Sequence, residues 1–238
     1  MCFLLKIKYT VSMIKGILID YDGTLSKRYV SAYHMYQRLV QEESDYPLHS
    51  IEAEEIIQRC LNWDQFGHTD KDYVMTKLQE KYFPNLDIEA RRKWWYDTFP
   101  LYQLPMDDEK EVLQALHKEY RLGILSNGDS KLQHEKITKM GLEDLFDEVI
   151  VSGDYGIQKP KKQIFEIAAK RLGLRAEEIA FIGDTFFTDI SGAVNAGMLP
   201  VWLCHEKRGY TECPGIYMVE DFREIYSFFL VHKPWKGK

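Results

Sequence analysis

Five short apolar runs recur along the chain: KGILID (15–20), RLGILS (121–126), DEVIVS (147–152), EIAFIGD (178–184) and MLPVWLC (198–204). Each is rich in Ile, Leu and Val, and most end at polar or glycine residues. The runs are continuous rather than alternating, as expected of strands buried on both faces. Between the later ones lie patterns of helical period: DEKEVLQALHKEY, KLQHEKITKMGL, KKQIFEIAAKRLGL and TDISGAVNAG. Strands alternating with helices of this length predict βαβ units and a parallel sheet, an α/β fold.

The interval between the first and second runs differs. From about Ser26 to Leu104 no segment reads as a strand. VSAYHMYQRLVQEE, SIEAEEIIQRCLNW, TDKDYVMTKLQEKYF and DIEARRKWWYDTF all carry helical spacing, with Thr69 or Asp70 and Asp87 as N-caps. This stretch is too long for a single crossover helix. It predicts a small helical domain, residues 26–104, inserted into an α/β core of residues 14–25 and 105–238. Pro100 and Pro105 punctuate the return.

Composition is that of an ordinary soluble globular protein. The chain has 238 residues, 45% hydrophobic and 29% charged, with a formal net charge of −6. The acidic balance suggests no basic face, which argues against nucleic acid or an anionic membrane as partner. Cys2, Cys60, Cys204 and Cys213 are scattered and form no CxxC pair, so reduced thiols are expected rather than a disulfide frame or a zinc site. Lys6 and Lys8 interrupt the mildly apolar start, and no small-residue cleavage pattern follows. Residues 1–13 are read as an extension or a start-site artefact, with an extra edge strand as the alternative. No run reaches the ~20 apolar residues of a membrane span, and a cytoplasmic protein is expected.

In an open parallel sheet, ligands bind beyond the carboxyl ends of the strands. Asp20 ends the first run and Ser126 the second, Lys159 follows the third, and Asp184 follows the fourth. Singly, each has a local explanation: an Asp-Gly turn, a helix cap, a solvated lysine before proline. Together they bring Asp, Ser, Lys and Asp to one crevice. Such a set holds a hard cation and leaves one carboxylate to attack an electrophile.

DYDGTL, LSNG, KP after the third run and GDTFFTD, in this order, resemble the four motifs of the haloacid dehalogenase-like (HAD) hydrolase superfamily. The resemblance covers residues 14–26 and 105–235, and the helical insert resembles that superfamily's cap. It implies a Rossmann-like core and a Mg2+-dependent phosphomonoester hydrolase acting on a small phosphorylated metabolite. By the resemblance, Asp20 is the nucleophile that becomes an aspartyl-phosphate, and Asp22 is general acid and then general base. Ser126, Asn127 and Lys159 hold the phosphoryl group. Asp20, the Asp22 backbone carbonyl, Asp184 and Asp189 hold the metal, Asp189 directly or through water. Asp22 disfavours dehalogenation and phosphonate cleavage, whose family members lack that residue. Thr24 favours a phosphatase over a phosphosugar mutase-like phosphotransferase, often valine at this position. A binding or regulatory module with incidental phosphatase activity is the remaining alternative. A monomer or homodimer is expected.

Other residues carry weaker signals. Tyr33, Tyr36, Trp63, Phe66, Tyr73, Trp94, Trp95 and Tyr96 are read mainly as core of the insert. WDQFGHTD (63–70) is read as a loop and as the segment that meets substrate. Lys27 and Arg28 are placed at the hinge, facing an anionic substrate or water. Phe186 and Phe187 shield the metal site or pack beneath their loop. Residues 205–217 are read as a loop over the sheet edge.

Overall fold

The computed structural model describes residues 13–204 and 215–231. The expected N-terminal extension, Cys2, Cys213 and most of the 205–217 loop lie outside the described residues. The chain divides into two compact units: Met1–Ser26 with Pro105–Lys238, and Lys27–Leu104.

The first unit opens with β1 (Gly16–Ile19), which leads into the insert and its helices α1 (Arg28–Glu43), α2 (Ile51–Asp64), α3 (Lys71–Lys81) and α4 (Ile88–Thr98). It resumes with α5 (Glu109–Leu116), β2 (Arg121–Ser126), α6 (Ser130–Met140), β3 (Glu148–Val151), α7 (Ser152–Tyr155) and α8 (Lys162–Leu172). β4 (Ile179–Gly183), α9 (Ser191–Ala196), β5 (Leu199–Leu203), β6 (Tyr217–Val219) and α10 (Phe222–Phe229) complete it. The six strands are parallel in the order β3-β2-β1-β4-β5-β6. The order reverses between β1 and β4, the switch point where such sheets open a crevice.

Alternating residues bury against opposite layers. Ile17, Ile19, Ile124, Ile182 and Val201 pack with Val112 and Leu113 of α5, Ile137 of α6 and Ile225 and Phe229 of α10. Leu18, Leu125, Ile150 and Phe181 pack with Ile164, Phe165 and Ala168 of α8 and Ala193 of α9. Both faces are therefore apolar, which explains the uninterrupted runs. β6 and α10 are not among the elements expected from the sequence, and β6 corrects the loop reading at Tyr217. Its three residues are too few to register as a run. The signal for α10 was present: Asp221 accepts from the Glu224 amide at 2.8 Å, and Phe222, Ile225, Tyr226 and Phe229 share one buried face. The expected helix TDISGAVNAG begins instead as a wider turn over Phe186–Ile190 before α9.

The insert leaves and rejoins the core through neighbouring backbone. Ser26 forms an antiparallel bridge with Pro105, and the Met106 amide donates to the Leu25 carbonyl at 3.3 Å. Just inside the insert, the Lys27 amide donates to the Leu104 carbonyl at 2.8 Å.

Within the insert, Ser50, Asp70 and Asp87 accept from the amides of Ala53, Asp72 and Ala90 at the starts of α2, α3 and α4. Asp70, not Thr69, is thus the cap. Trp95 lies 4.5 Å from the Tyr36 ring and 5.2 Å from the Phe99 ring, centroid to centroid, in the core of the insert. Tyr33, Trp63 and Trp94 pack against that core, whereas Phe66, Tyr73 and Tyr96 are exposed. Buried Asp64 accepts from Arg28 at 2.9 Å and from the Tyr36 hydroxyl at 3.0 Å, and it pairs with Lys71. Burial pushes this carboxyl up, but the two cations outweigh it and hold its pKa below the ordinary value. Arg28 therefore does not face water at a hinge. It neutralises a buried carboxylate inside the insert. The WDQFGHTD segment is only partly loop: Trp63 and Asp64 finish α2, and Gln65–Gly67 form a single exposed turn.

Glu109, in the first turn of α5, is 1% exposed. One carboxylate oxygen accepts from the Met106 amide at 3.0 Å, and the other has no hydrogen-bond partner among the described residues. Burial pushes its pKa up to about 8 from 4.5. The unfolded chain releases this proton near the ordinary value and the folded chain near 8, so stability falls as pH rises through that interval. At ~1.4 kcal/mol per pKa unit, Glu109→Gln should be more stable than the parent at pH 9 by a few kcal/mol. The difference should vanish toward pH 4 in urea denaturation.

Candidate active site

β1 and β4 are adjacent and parallel, with Ile19 opposite Ile182, so the residues after them emerge side by side. The Asp20 amide still donates to the Ile182 carbonyl at 2.9 Å, which holds Asp20 in line with the strand. The chain then turns at once. The amides of Leu25 and Ser26 both donate to the Tyr21 carbonyl, at 2.9 and 3.0 Å. Gly23 makes this turn at φ +87°, where a Cβ atom would lie 2.3 Å from a carboxylate oxygen of Asp184. Only glycine admits both that conformation and that approach. At the end of β4, a Cβ on Gly183 would lie 2.5 Å from an Asp189 carboxylate oxygen. Two glycines thus let the carboxylates close in.

Asp20, Asp184 and Asp189 each offer an oxygen within 4.8 Å of the others. Lys159 reaches into the group, 2.6 Å from Asp20 and 2.8 Å from Asp189, with its ammonium 5.3 Å from the Phe181 ring centroid. Burial raises the pKa of Asp20 well above its ordinary value. Asp189 and Asp184 add to the rise, and Lys159 opposes it. Asp184 is pushed up to about 6, by burial and then by the charge on Asp189. Burial pulls the Lys159 ammonium down, but Asp189 and Asp20 outweigh it and raise its pKa. Fully ionised, the three carboxylates beside one ammonium would carry an excess of two negative charges, which burial opposes. All donors are hard oxygens, and the surplus charge is that of a divalent ion. The residues fit Mg2+.

The remaining expected residues are placed around this group. Thr24 is buried, its hydroxyl 3.5 Å from Asp20 and 3.4 Å from Asp184. The Trp202 indole donates to the Asp184 carbonyl at 2.8 Å, and Phe186 packs edge-on against that indole at 5.0 Å. Phe186 therefore braces the loop, while Phe187 is 70% exposed. The Asn127 side chain donates to the Lys159 carbonyl at 3.1 Å and accepts from the Lys159 amide at 2.8 Å, fixing the loop that delivers the lysine. The side chain of Asp22 stands apart from the three-carboxylate group.

Two buried residues of α6, Gln133 and Lys136, were missed by the sequence reading. Lys136 meets both Asp22 oxygens, and Gln133 meets Asp22 and Ser126. The sequence carries no signal for them: glutamine and lysine three apart on a helix are ordinary surface residues, and only the fold buries them.

The model of the haloacid dehalogenase-like hydrolase family matches residues 14–197. The glyceraldehyde 3-phosphate phosphatase of Methanothermobacter thermautotrophicus is 28% identical over 225 residues, 90% of this chain and 98% of its own. The protein of the same name from Methanopyrus kandleri is 30% identical over 195 residues, 79% of this chain and 83% of its own. Among solved structures, the HAD-hydrolase YfnB from Bacillus subtilis, bound to magnesium, superposes with a TM-score of 0.73 at 23% identity. That match covers 91% of this chain and 98% of YfnB.

The surplus charge predicts opposite effects of one substitution. In metal-free protein at pH 8, Asp184→Asn removes a carboxylate whose ionisation opposes folding, and should raise stability by up to about 3 kcal/mol. Added MgCl2 should raise the melting temperature of the parent protein and leave that of Asp184→Asn nearly unchanged. Thermal melts with EDTA and with MgCl2 read both effects.

Proposed function

The chain belongs to the haloacid dehalogenase-like hydrolases, and from that membership we propose that it is a phosphatase of small phosphorylated metabolites, acting through an aspartyl-phosphate on Asp20 with Mg2+ as cofactor. The observation that carries the reading is the pairing of two differently placed aspartates at the end of β1. Asp20 sits among carboxylates and against Lys159, and Asp22, two residues on, lies outside that group with its own hydrogen-bond partners. The names of the two glyceraldehyde 3-phosphate phosphatases support a small phosphate ester as the substrate class.

In this mechanism an Asp20 oxygen attacks phosphorus, the ester P–O bond breaks, and the leaving oxygen takes a proton from the Asp22 carboxyl. Water then gives a proton to the Asp22 carboxylate and attacks the same phosphorus. The P–O bond to Asp20 breaks, releasing inorganic phosphate and restoring both groups. Lys159 offsets the charge that Asp20 and the phosphoryl oxygens bring together. The Ser126 hydroxyl and the backbone amides beside it, including that of Asn127, hold the phosphoryl oxygens. Asp20, the Asp22 carbonyl, Asp184 and Asp189 would hold Mg2+, which supplies charge neutralisation between an anionic nucleophile and a phosphate dianion.

The protein should release inorganic phosphate from a panel of small phosphomonoesters, and from para-nitrophenyl phosphate, when MgCl2 is present and not in excess EDTA. Asp20→Asn should fold normally and retain less than about one hundredth of the activity, within the ~10²–10⁴-fold range of single catalytic groups. Full turnover in EDTA would count against the metal, and substantial turnover by Asp20→Asn against the nucleophile.

A further inference from the structure

Gln133 and Lys136 take no part in the chemistry just described, yet both reach its proton-handling group. They lie three residues apart on one face of α6. The Lys136 ammonium is 2.6 and 2.5 Å from the two carboxylate oxygens of Asp22. The Gln133 amide nitrogen is 2.9 Å from Asp22, 2.6 Å from the Ser126 hydroxyl and 3.1 Å from the Asn127 carbonyl. Its carbonyl oxygen accepts from Lys136. That acceptance decides which way the amide points: the oxygen toward the ammonium, the nitrogen toward the carboxylate and the hydroxyl.

Both side chains are inside the protein, with Gln133 1% and Lys136 2% exposed. The ammonium lies 5.0 Å from the Tyr21 ring centroid, and the Tyr21 hydroxyl donates to the Lys136 carbonyl at 3.2 Å. Tyr21 thereby ties this turn of α6 to the exit of β1, between the two aspartates. A buried ammonium is expensive to desolvate, and an apolar side chain of similar length would fill the same space at lower cost. The charge is retained at a carboxylate whose direction matters. A proton donor acts only within about 2.6–3.2 Å of its target, and small misplacements lose much of the rate.

We infer that Gln133 and Lys136 are positioning residues for the reaction: they set the direction of the Asp22 carboxylate, and Gln133 spaces it from the Ser126 hydroxyl. The inference rests on the reading of Asp22 as acid and base. Lys136 bears on the reaction through the Asp22 carboxylate, so its loss should resemble a weakened Asp22 and not a weakened fold.

Leaving-group dependence separates the two. Phenyl phosphate needs a proton at its departing oxygen far more than para-nitrophenyl phosphate does. Lys136→Met should lower kcat/KM on phenyl phosphate about tenfold or more, and on para-nitrophenyl phosphate less than about threefold. With the nitrophenyl ester it should also show a burst of nitrophenol, because activation of water by Asp22 is slowed while formation of the phospho-enzyme is not. Gln133→Leu should follow the same order with a smaller loss, and it carries the test if Lys136→Met does not unfold cooperatively. In an Asp22→Asn background, Lys136→Met should cost less than about twofold in burst rate. Three results would each overturn the inference: equal losses on both esters without a burst, further loss in the Asp22→Asn background, or parental rates in a folded Lys136→Met protein. A parent protein inert on every phosphomonoester would overturn the phosphatase reading, and this inference with it.

Discussion

The repulsion among Asp20, Asp184 and Asp189 is the constraint around which the core is organised. Three carboxylates crowd the switch point of the sheet, and Lys159 offsets only part of their charge. Left to themselves these side chains would turn toward water. They stay because their backbone is held from several directions. Strand pairing fixes Asp20, the Trp202 indole fixes the Asp184 carbonyl, and the Thr185 amide donates to Asp189 at 3.0 Å. The Lys159 loop is held in turn by Asn127. The sheet acts as the frame that keeps a strained electrostatic arrangement assembled before any ligand arrives, in the manner of preorganised catalytic sites.

The insert solves the reverse problem. There a single buried carboxylate, Asp64, faces two cations, Arg28 and Lys71, together with the Tyr36 hydroxyl. Aromatic faces lie alongside the cations, with Lys71 5.0 Å from the Trp95 ring centroid and Arg28 5.6 Å from that of Phe99. Such contacts ease the burial of positive charge. The polar cluster links the starts of α1 and α3 to the end of α2 through fixed hydrogen bonds, which aliphatic packing alone leaves less sharply defined.

Much of this was legible in the sequence, and the reasons differ by element. β1 to β5 announced themselves because both faces of the sheet are covered, so nothing polar interrupts them. The three clustered aspartates were legible because Asp20, Asp184 and Asp189 sit at strand ends or in the turns just after them. Gln133 and Lys136 were hidden for the opposite reason. On a helix, glutamine and lysine are ordinary surface residues, and only the third dimension shows that this face of α6 looks into the protein. Arg28 misled in the same way: a charged residue after a turn reads as exposed, and its partner Asp64 lies far along the chain. β6 was too short for a periodic signal, whereas α10 carried one on a clear apolar face.

The insert enters and leaves the core through adjacent backbone, with Ser26 bridged to Pro105 and Lys27 bonded to Leu104. To the sheet, everything between those residues is a single loop whose ends already meet. The entropy of closing a loop grows only with the logarithm of its length, about 0.6 kcal/mol for each doubling. Lineages can therefore lengthen, shorten or exchange the segment between Ser26 and Pro105 at little thermodynamic consequence for the α/β scaffold. The insert is free to vary in length while the pairing of β1 with β4, and with it the carboxylate group, is left untouched.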